Sequence, residues 1–236
     1  MIETIRNIST QHIRNVINLR RELHRFPELS FQEVNTAKRI EEELKSIGIP
    51  VVTSVNGTGV IGIIEGGSTG KTLAIRAELD ALPINEETGL EFSSIYPGVM
   101  HACGHDVHMA NLVGVAKTLW EIRGKLNGKI LLVFQPGEEL LPGGALGVIE
   151  SEVFQNNFPD VMLGLHILPE LPLGTVGFKS GFYMASGDEV YITVHGKGGH
   201  AALPHTLIDP VLISSHIIVA LQQVVSRKGP SSVPSV

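Results

Sequence analysis

Residues His101-Ala-Cys-Gly-His-Asp-Val-His108 bring one thiol, three imidazoles and a carboxylate into a single short segment. Cys103 is the only cysteine in the 236 residues, so it forms no internal disulfide. A thiolate two residues from an imidazole, as in Cys103-Gly-His105, is a donor pair suited to a divalent metal. A lone cysteine also has a bland reading, a small buried hydrophobe. Two further segments weigh against it. Residues 129–139 read as a buried apolar strand that ends in Pro-Gly and two adjacent carboxylates, Glu138 and Glu139. Residues 160–167 read as another buried strand, with His166 at its end. Polar groups at the ends of buried strands are costly without partners. Open α/β sheets gather ligands beyond the carboxyl ends of their strands. The three endings therefore offer S, N and O donors to one shared metal centre.

The elements that must position these groups alternate between helix and strand. Residues 109–120 carry apolar positions at helical period, so the Cys-His segment sits where a loop runs into a helix. Helical spacing also runs from about residue 9 to His24, through Ile13, Val16, Ile17, Leu19 and Leu23. A second amphipathic stretch, 35–47, is closed by Gly48. Residues 60–64 and 72–76 read as strands of the buried type. With the strands ending near Phe134 and Leu165, the pattern predicts an α/β fold, a mixed sheet with helices on both faces. A boundary is expected near 183–188, separating a catalytic domain, 1–185, from the start of an α+β domain, 186–236. Beyond it, 189–195 alternates as a half-exposed strand does. Gly196, Gly198 and Gly199 then turn into His200, and an apolar helix follows Asp209. One strand and one helix are too little for an independent domain.

Six stretches, in order along nearly the whole chain, carry a resemblance. They are Arg20-Arg-Glu-Leu-His-Arg-Phe-Pro-Glu-Leu-Ser30, Arg76-Ala-Glu-Leu-Asp-Ala-Leu-Pro83, Met100-His-Ala-Cys-Gly-His-Asp-Val-His108, Gln135-Pro-Gly-Glu-Glu139, Gly164-Leu-His166 and Gly196-Lys-Gly-Gly-His-Ala-Ala-Leu-Pro-His205. Together they resemble the metal-dependent amidohydrolases that include aminoacylase, hippurate hydrolase and the hydrolases of auxin–amino acid conjugates. The resemblance implies a zinc-exopeptidase-like catalytic domain with a lid and dimerisation domain, and a centre of two divalent ions. Zinc or manganese is implied first, with cobalt or nickel compatible with mixed donors. Cys103, His105, Glu139 and His166 match four ligand positions, and Glu138 matches the general base. Asp80 matches a carboxylate behind the ligands. His200 matches a histidine that reaches a substrate site, in family dimers that of the partner subunit; on spacing alone His195 and His205 would serve as well. The implied reaction is hydrolysis of N-acyl amino acids. Glu138 would take a proton from the attacking water and return it to the leaving amine, and His200 would meet the oxyanion or the substrate carboxylate. The family has aspartate where this chain has Glu78, which leaves the role of position 78 open. Family members also continue past residue 236 and supply one more ligating histidine. The sequence is therefore read as the N-terminal part of a longer protein or as a truncated product. The alternatives are a dipeptidase or carboxypeptidase of the same fold, and an inactive metal-binding fragment.

Other residues carry plainer readings. His101 and His108 read as structural neighbours of the ligands. Asp106 either orients His105 or caps the following helix. His24 closes a helix, where a cation favours the dipole, and Arg76 is placed to pair with a carboxylate. The formal net charge of −6 argues against a nucleic-acid partner. No apolar run is long enough to span a bilayer, and the N-terminus lacks a secretion-signal layout. A cysteine that must stay a thiolate suits the reducing cytoplasm.

Overall fold

Apolar period decides which face each element buries. The structure, a computed structural model, describes residues 1–181, 183 and 189–224. Helix α1 (Ile2–Arg25) and helix α2 (Val34–Ile47) are amphipathic. Gly48 closes α2 at φ 97°, in the left-handed region open to glycine. The strands are β1 (Val51–Val55), β2 (Gly59–Glu65) and β3 (Ser68–Glu78). After a long loop come α3 (His105–Ile122) and β4 (Asn127–Gln135), then the short helices α4 (Ala145–Glu150) and α5 (Glu152–Gln155), and β5 (Val161–Gly164). The last helix described is α6 (Pro210–Gln223).

The five strands form one mixed sheet in the order β1-β2-β4-β3-β5. β1 and β4 run antiparallel to β2, while β3 runs parallel to both β4 and β5. Side chains alternate across the sheet, and β4 shows it most clearly. Ile130, Leu132 and Phe134 face a core shared with α1, α2 and α3, including Leu23, Ile40, Leu44, Met109 and Leu112. Leu131 and Val133 face a smaller core with Val148 and Phe154, from α4 and α5. Both faces therefore carry helices, as the sequence pattern predicts. Each fully buried aliphatic side chain of this kind contributes about 1.5–3 kcal/mol.

The chain divides into two compact units, Met1–Glu170 and Leu171–Val236. The boundary expected at 183–188 falls largely outside the described residues. Three local expectations differ from the structure. β1 had no counterpart in the sequence pattern. β5 is not buried: it lies at the sheet edge, and Val161, Met162 and Leu163 are all exposed. Residues 189–195 form no strand, and among the described residues the pairing near them is a single bridge from Lys197 to Ile208. A strand requires a neighbour to complete its hydrogen bonds, and an alternating pattern does not provide one. Helix α6 forms as expected, with the Asp209 carboxylate accepting from the Val211 and Leu212 N–H groups, but none of its residues is buried. No helix among the described residues is long and apolar enough to cross a membrane.

Candidate metal centre

Three parallel strands end on the same side of the sheet. In register, Glu78 of β3 pairs with Gln135 of β4, and Arg76 of β3 pairs with Gly164 of β5. The segments that leave these ends carry Asp80, Glu138 with Glu139, and His166. The loop 83–99 returns its far end to the same place, because Leu82 and Met100 exchange two backbone hydrogen bonds at 3.0 Å. Cys103 and the first turn of α3 follow. Gly104 makes that turn at φ 85°, and a β-carbon there would collide with the Ile167 side chain. Glycine is required on both counts.

The donor atoms converge. Cys103 Sγ lies 3.2 Å from His166 Nε2. His105 Nε2 lies 3.8 Å from Glu139 Oε1 and 3.9 Å from Glu138 Oε2. Cys103, His105 and His166 form one cluster in which a donor atom from each falls within 4.8 Å of the others, and His105, Glu138 and Glu139 form a second. His105 belongs to both. Its Nδ1 is committed to the Asp80 carbonyl oxygen at 2.8 Å, which leaves Nε2 for the cluster. His166 Nδ1 is likewise taken, by the Ile167 carbonyl at 2.7 Å. Gly137, at φ 55°, provides the bend that turns both adjacent carboxylates toward His105.

Two features show that this donor set fits a cation. Glu139 Oε1 is a buried oxygen without a hydrogen-bond partner, an expensive arrangement unless a cation satisfies it, whereas Asp80 Oδ1 lies 3.3 Å from His105 Nδ1. The negative groups also hold a proton firmly on His105. Burial works against that charge, but Asp80, Cys103 and Glu78 outweigh it and raise its pKa to about 11. Asp80 is the counterpart. Burial would raise its pKa, yet hydrogen bonds with His105, the Glu139 N–H and Ser30 hold it at about 2. Glu138 is pushed up from the ordinary carboxylate range, first by burial and then by Glu139 beside it.

The sequence itself matches one family, described as Peptidase family M20/M25/M40, over residues 74–235. The chain belongs to that family. It is 47% identical over 221 residues to the N-acetyl-L-cysteine deacetylase of Bacillus subtilis strain 168, covering 94% of this chain and 52% of that protein. It is 43% identical over 225 residues to the N-acyl-L-amino acid amidohydrolase of Geobacillus stearothermophilus, covering 95% of this chain and 60% of that protein. Among solved structures it resembles a dinuclear metal binding peptidase of family M20 from Bacillus subtilis. That match has a TM-score of 0.67 and 44% identity, and covers 75% of this chain and 48% of the other. The chain spans between 52% and 60% of the length of the curated relatives it matches.

In this M20 chain the groups behind the donors are as specific as the donors. His108 is fully buried. Its Nε2 accepts the Ile167 N–H at 3.1 Å, so Nδ1 carries the proton and donates to Glu78 Oε2 at 2.8 Å. Glu78, His105 and His108 also cluster, but both His108 nitrogens are occupied by protein partners. That trio therefore supports the site and does not chelate. Arg76 pairs with Glu78 and donates to Gln135 at 2.8 Å, the carboxylate pairing its position implies. His101 is buried with both ring nitrogens unpartnered, and burial lowers its pKa to about 4, which keeps it neutral.

Asp106 requires a correction. Its side chain neither caps α3 nor reaches His105. Oδ2 instead takes His24 Nδ1 at 2.7 Å and Arg20 Nε at 2.9 Å, both from α1. Asp106 lies in the first turn of α3, on the face packed against α1, so its carboxylate ties the two helices together. His24 lies in the last turn of α1, as expected, and is also a buried ion-pair partner. Its Nε2 also meets Glu86 of the long loop at 3.2 Å. His200 belongs to the second unit, where it is exposed and its Nδ1 accepts the Ala202 N–H at 3.1 Å.

Sequence reasoning missed Ser30 and Glu33. The Ser30 hydroxyl donates to Asp80 at 2.7 Å. The wholly buried Glu33 accepts the Gly137 N–H at 2.7 Å. Neither stands in a pattern that signals the contact: an acid just before a helix ordinarily reads as a solvated first-turn residue.

Proposed function

We propose that the protein carrying this chain hydrolyses the amide bond of N-acyl amino acids at a centre of two divalent metal ions, releasing a carboxylic acid and a free amino acid. The observation that carries this reading is the pair of donor clusters sharing His105, one of them holding a buried Glu139 oxygen without a hydrogen-bond partner. Similarity to proteins named for deacetylating N-acetyl-L-cysteine and for hydrolysing N-acyl-L-amino acids supports the substrate class. Similarity to a dinuclear M20 peptidase supports two ions.

Cys103, His105, Glu139 and His166 would hold the ions, zinc or manganese first, with cobalt or nickel also suited to the mixed donors. Such ions, when bound, supply a water of lowered pKa and positive charge for a developing oxyanion. Glu138 carries the proton. It removes one from the attacking water as the oxygen bonds to the acyl carbon, and delivers it to the nitrogen as the C–N bond breaks. Asp80 and His108 keep the ligands in orientation. His200 donates to the oxyanion or holds the substrate carboxylate. On this reading residues 1–185 belong to the catalytic domain and 186–236 to a lid through which two copies pair, although the compact units divide at Glu170 and Leu171. A free cysteine used as a metal ligand suits the reducing cytoplasm, and this reading assigns the protein there.

The test is a substrate panel with metal analysis on the same sample. N-acetyl, N-benzoyl and indoleacetyl amino acids should be cleaved in preference to unblocked dipeptides, with two equivalents of metal per chain. Preferential cleavage of dipeptides would transfer the assignment to a peptidase on the same site.

A further inference from the structure

Among the described residues, Glu138 has a single ion-pair partner, His105, at the far edge of ion-pair range. The Glu138 side chain is 40% exposed, and its carboxylate lies 3.9 Å from His105 Nε2. It accepts no hydrogen bond among the described residues. Its aim is therefore set by the backbone on either side, and both flanking amides are anchored on buried carboxylates. The Glu139 N–H donates to Asp80 Oδ2 at 2.9 Å, and the Gly137 N–H donates to Glu33 Oε1 at 2.7 Å.

Glu33 is an unusual anchor. It is wholly buried and immediately precedes α2, where an acid would ordinarily serve the helix amides. That duty belongs to Glu28, which accepts the Asn35 N–H at 3.2 Å and the Thr36 N–H at 2.8 Å. Glu33 is thereby free for the Glu138 loop, and its second oxygen is satisfied by the Thr58 hydroxyl.

Two residues earlier stands a strained neighbour. Phe31 has φ 62°; the other non-glycine residues of positive φ among the described ones are Ser54 and Asn56. For a bulky aromatic this is a genuine outlier, and such strain collects at functional sites. The distorted backbone sets the ring against Gly137: a β-carbon at 137 would lie 2.4–2.7 Å from three atoms of the Phe31 ring. The ring closes one side of the bend while Glu33 holds its amide.

We propose that Glu33 and Phe31 are positioning residues for Glu138, fixing the bend at Gly137 so that the carboxylate is presented to the reacting water. This rests on the base role of Glu138 and adds residues from the segment before α2. Glu33 is bonded to the Gly137 N–H and the Thr58 hydroxyl, and Phe31 lies against Gly137, so on this proposal neither is a metal donor or a substrate contact. Their loss should therefore lower kcat and leave KM and metal content in place. Misplacement of a catalytic group by about 1 Å can cost about 100-fold, and a loss of about 10–100-fold is expected here.

The test compares Glu33→Ala, Glu33→Gln, Phe31→Ala, Phe31→Gly and Phe31→Tyr in the whole, metal-loaded protein. Amide hydrogen exchange at Gly137 is read in parallel. Glu33→Ala and Phe31→Ala should lower kcat at unchanged KM and metal content, and Glu33→Ala should speed exchange at Gly137. Glu33→Gln retains an oxygen for the Gly137 N–H and should restore most of the rate, as should Phe31→Tyr. Phe31→Gly relieves the backbone strain and still lacks the ring. It should match Phe31→Ala in kcat while melting no lower, which keeps the test open if Glu33→Ala fails to fold. Unchanged kcat in the alanine variants, or activity lost in proportion to metal, overturns the proposal. Glu138→Gln run alongside separates the two questions. Full turnover in Glu138→Gln overturns the base role, whereas an inactive Glu138→Gln beside a fully active Glu33→Ala overturns the positioning role alone.

Discussion

The back and the front of the metal centre are built differently. At the back, Asp80, Glu78 and His108 are all but sealed from solvent, behind the shared donor His105. They are tied to named partners: Asp80 to Ser30 and the Glu139 N–H, His108 to Glu78 and the Ile167 N–H. At the front, Cys103, Glu138 and Glu139 are partly open and His166 is exposed. Their donor atoms face one another and have few hydrogen-bond partners. Buried polar groups must be satisfied within the protein, whereas donors intended for a ligand must be left free. The back therefore fixes geometry and the front performs chemistry.

Mutations should respect that division. The largest effect is expected from Glu138→Gln. It should retain its metals and lose about 10²–10⁴-fold in turnover, since an amide cannot accept the water's proton. Metal analysis beside steady-state kinetics checks this, and near wild-type turnover would assign the base elsewhere. Next comes metal affinity. Asp80→Asn removes support without removing a donor, and should weaken binding by about 10–100-fold. Cys103→Ala removes a donor, should weaken binding more, and should abolish the thiolate charge-transfer band of the cobalt-loaded protein. Equal losses in the two variants would erase the distinction between back and front.

A smaller effect lies farther back, at the tie between α1 and α3. The hydrogen bond to Asp106 is the main reason the His24 pKa is raised. Burial and Arg20 work against it, and Glu86 adds to it. A histidine whose folded pKa exceeds the unfolded value of about 6.5 stabilises fully below that pH, and the contribution fades as pH rises through the folded value. His24→Gln should thus lower the stability of the metal-free protein by up to about 3 kcal/mol near pH 6, and by progressively less in more alkaline buffer. Melting temperatures across that range provide the check, and a pH-independent difference would show that packing alone is lost.

The front of the site was legible in the sequence and much of the back was not. Thiolate, imidazole and carboxylate at strand ends announce themselves by type and spacing, and the parallel register of β3, β4 and β5 delivers them to one place. Glu33 and Ser30 could not be read, because their partners lie 104 and 50 positions away and no local pattern encodes a contact of that range. Asp106 was misread for a related reason. Its neighbours in sequence suggested a helix cap, while the packing of α1 across α3 supplied His24 and Arg20. In the sheet, the apolar run at Val161–Gly164 gave the strand but not its edge position, which depends on neighbours. The alternation at 189–195 suggested a strand that finds no partner among the described residues.

The central claim is that one cluster, built on His105, holds two ions. Anomalous diffraction from crystals of the protein loaded with manganese or zinc tests it most directly. The account predicts two peaks, one beside Cys103, His105 and His166 and the other beside His105 and Glu139, with Glu138 facing the space between them. A single peak, or peaks away from His105, would contradict it.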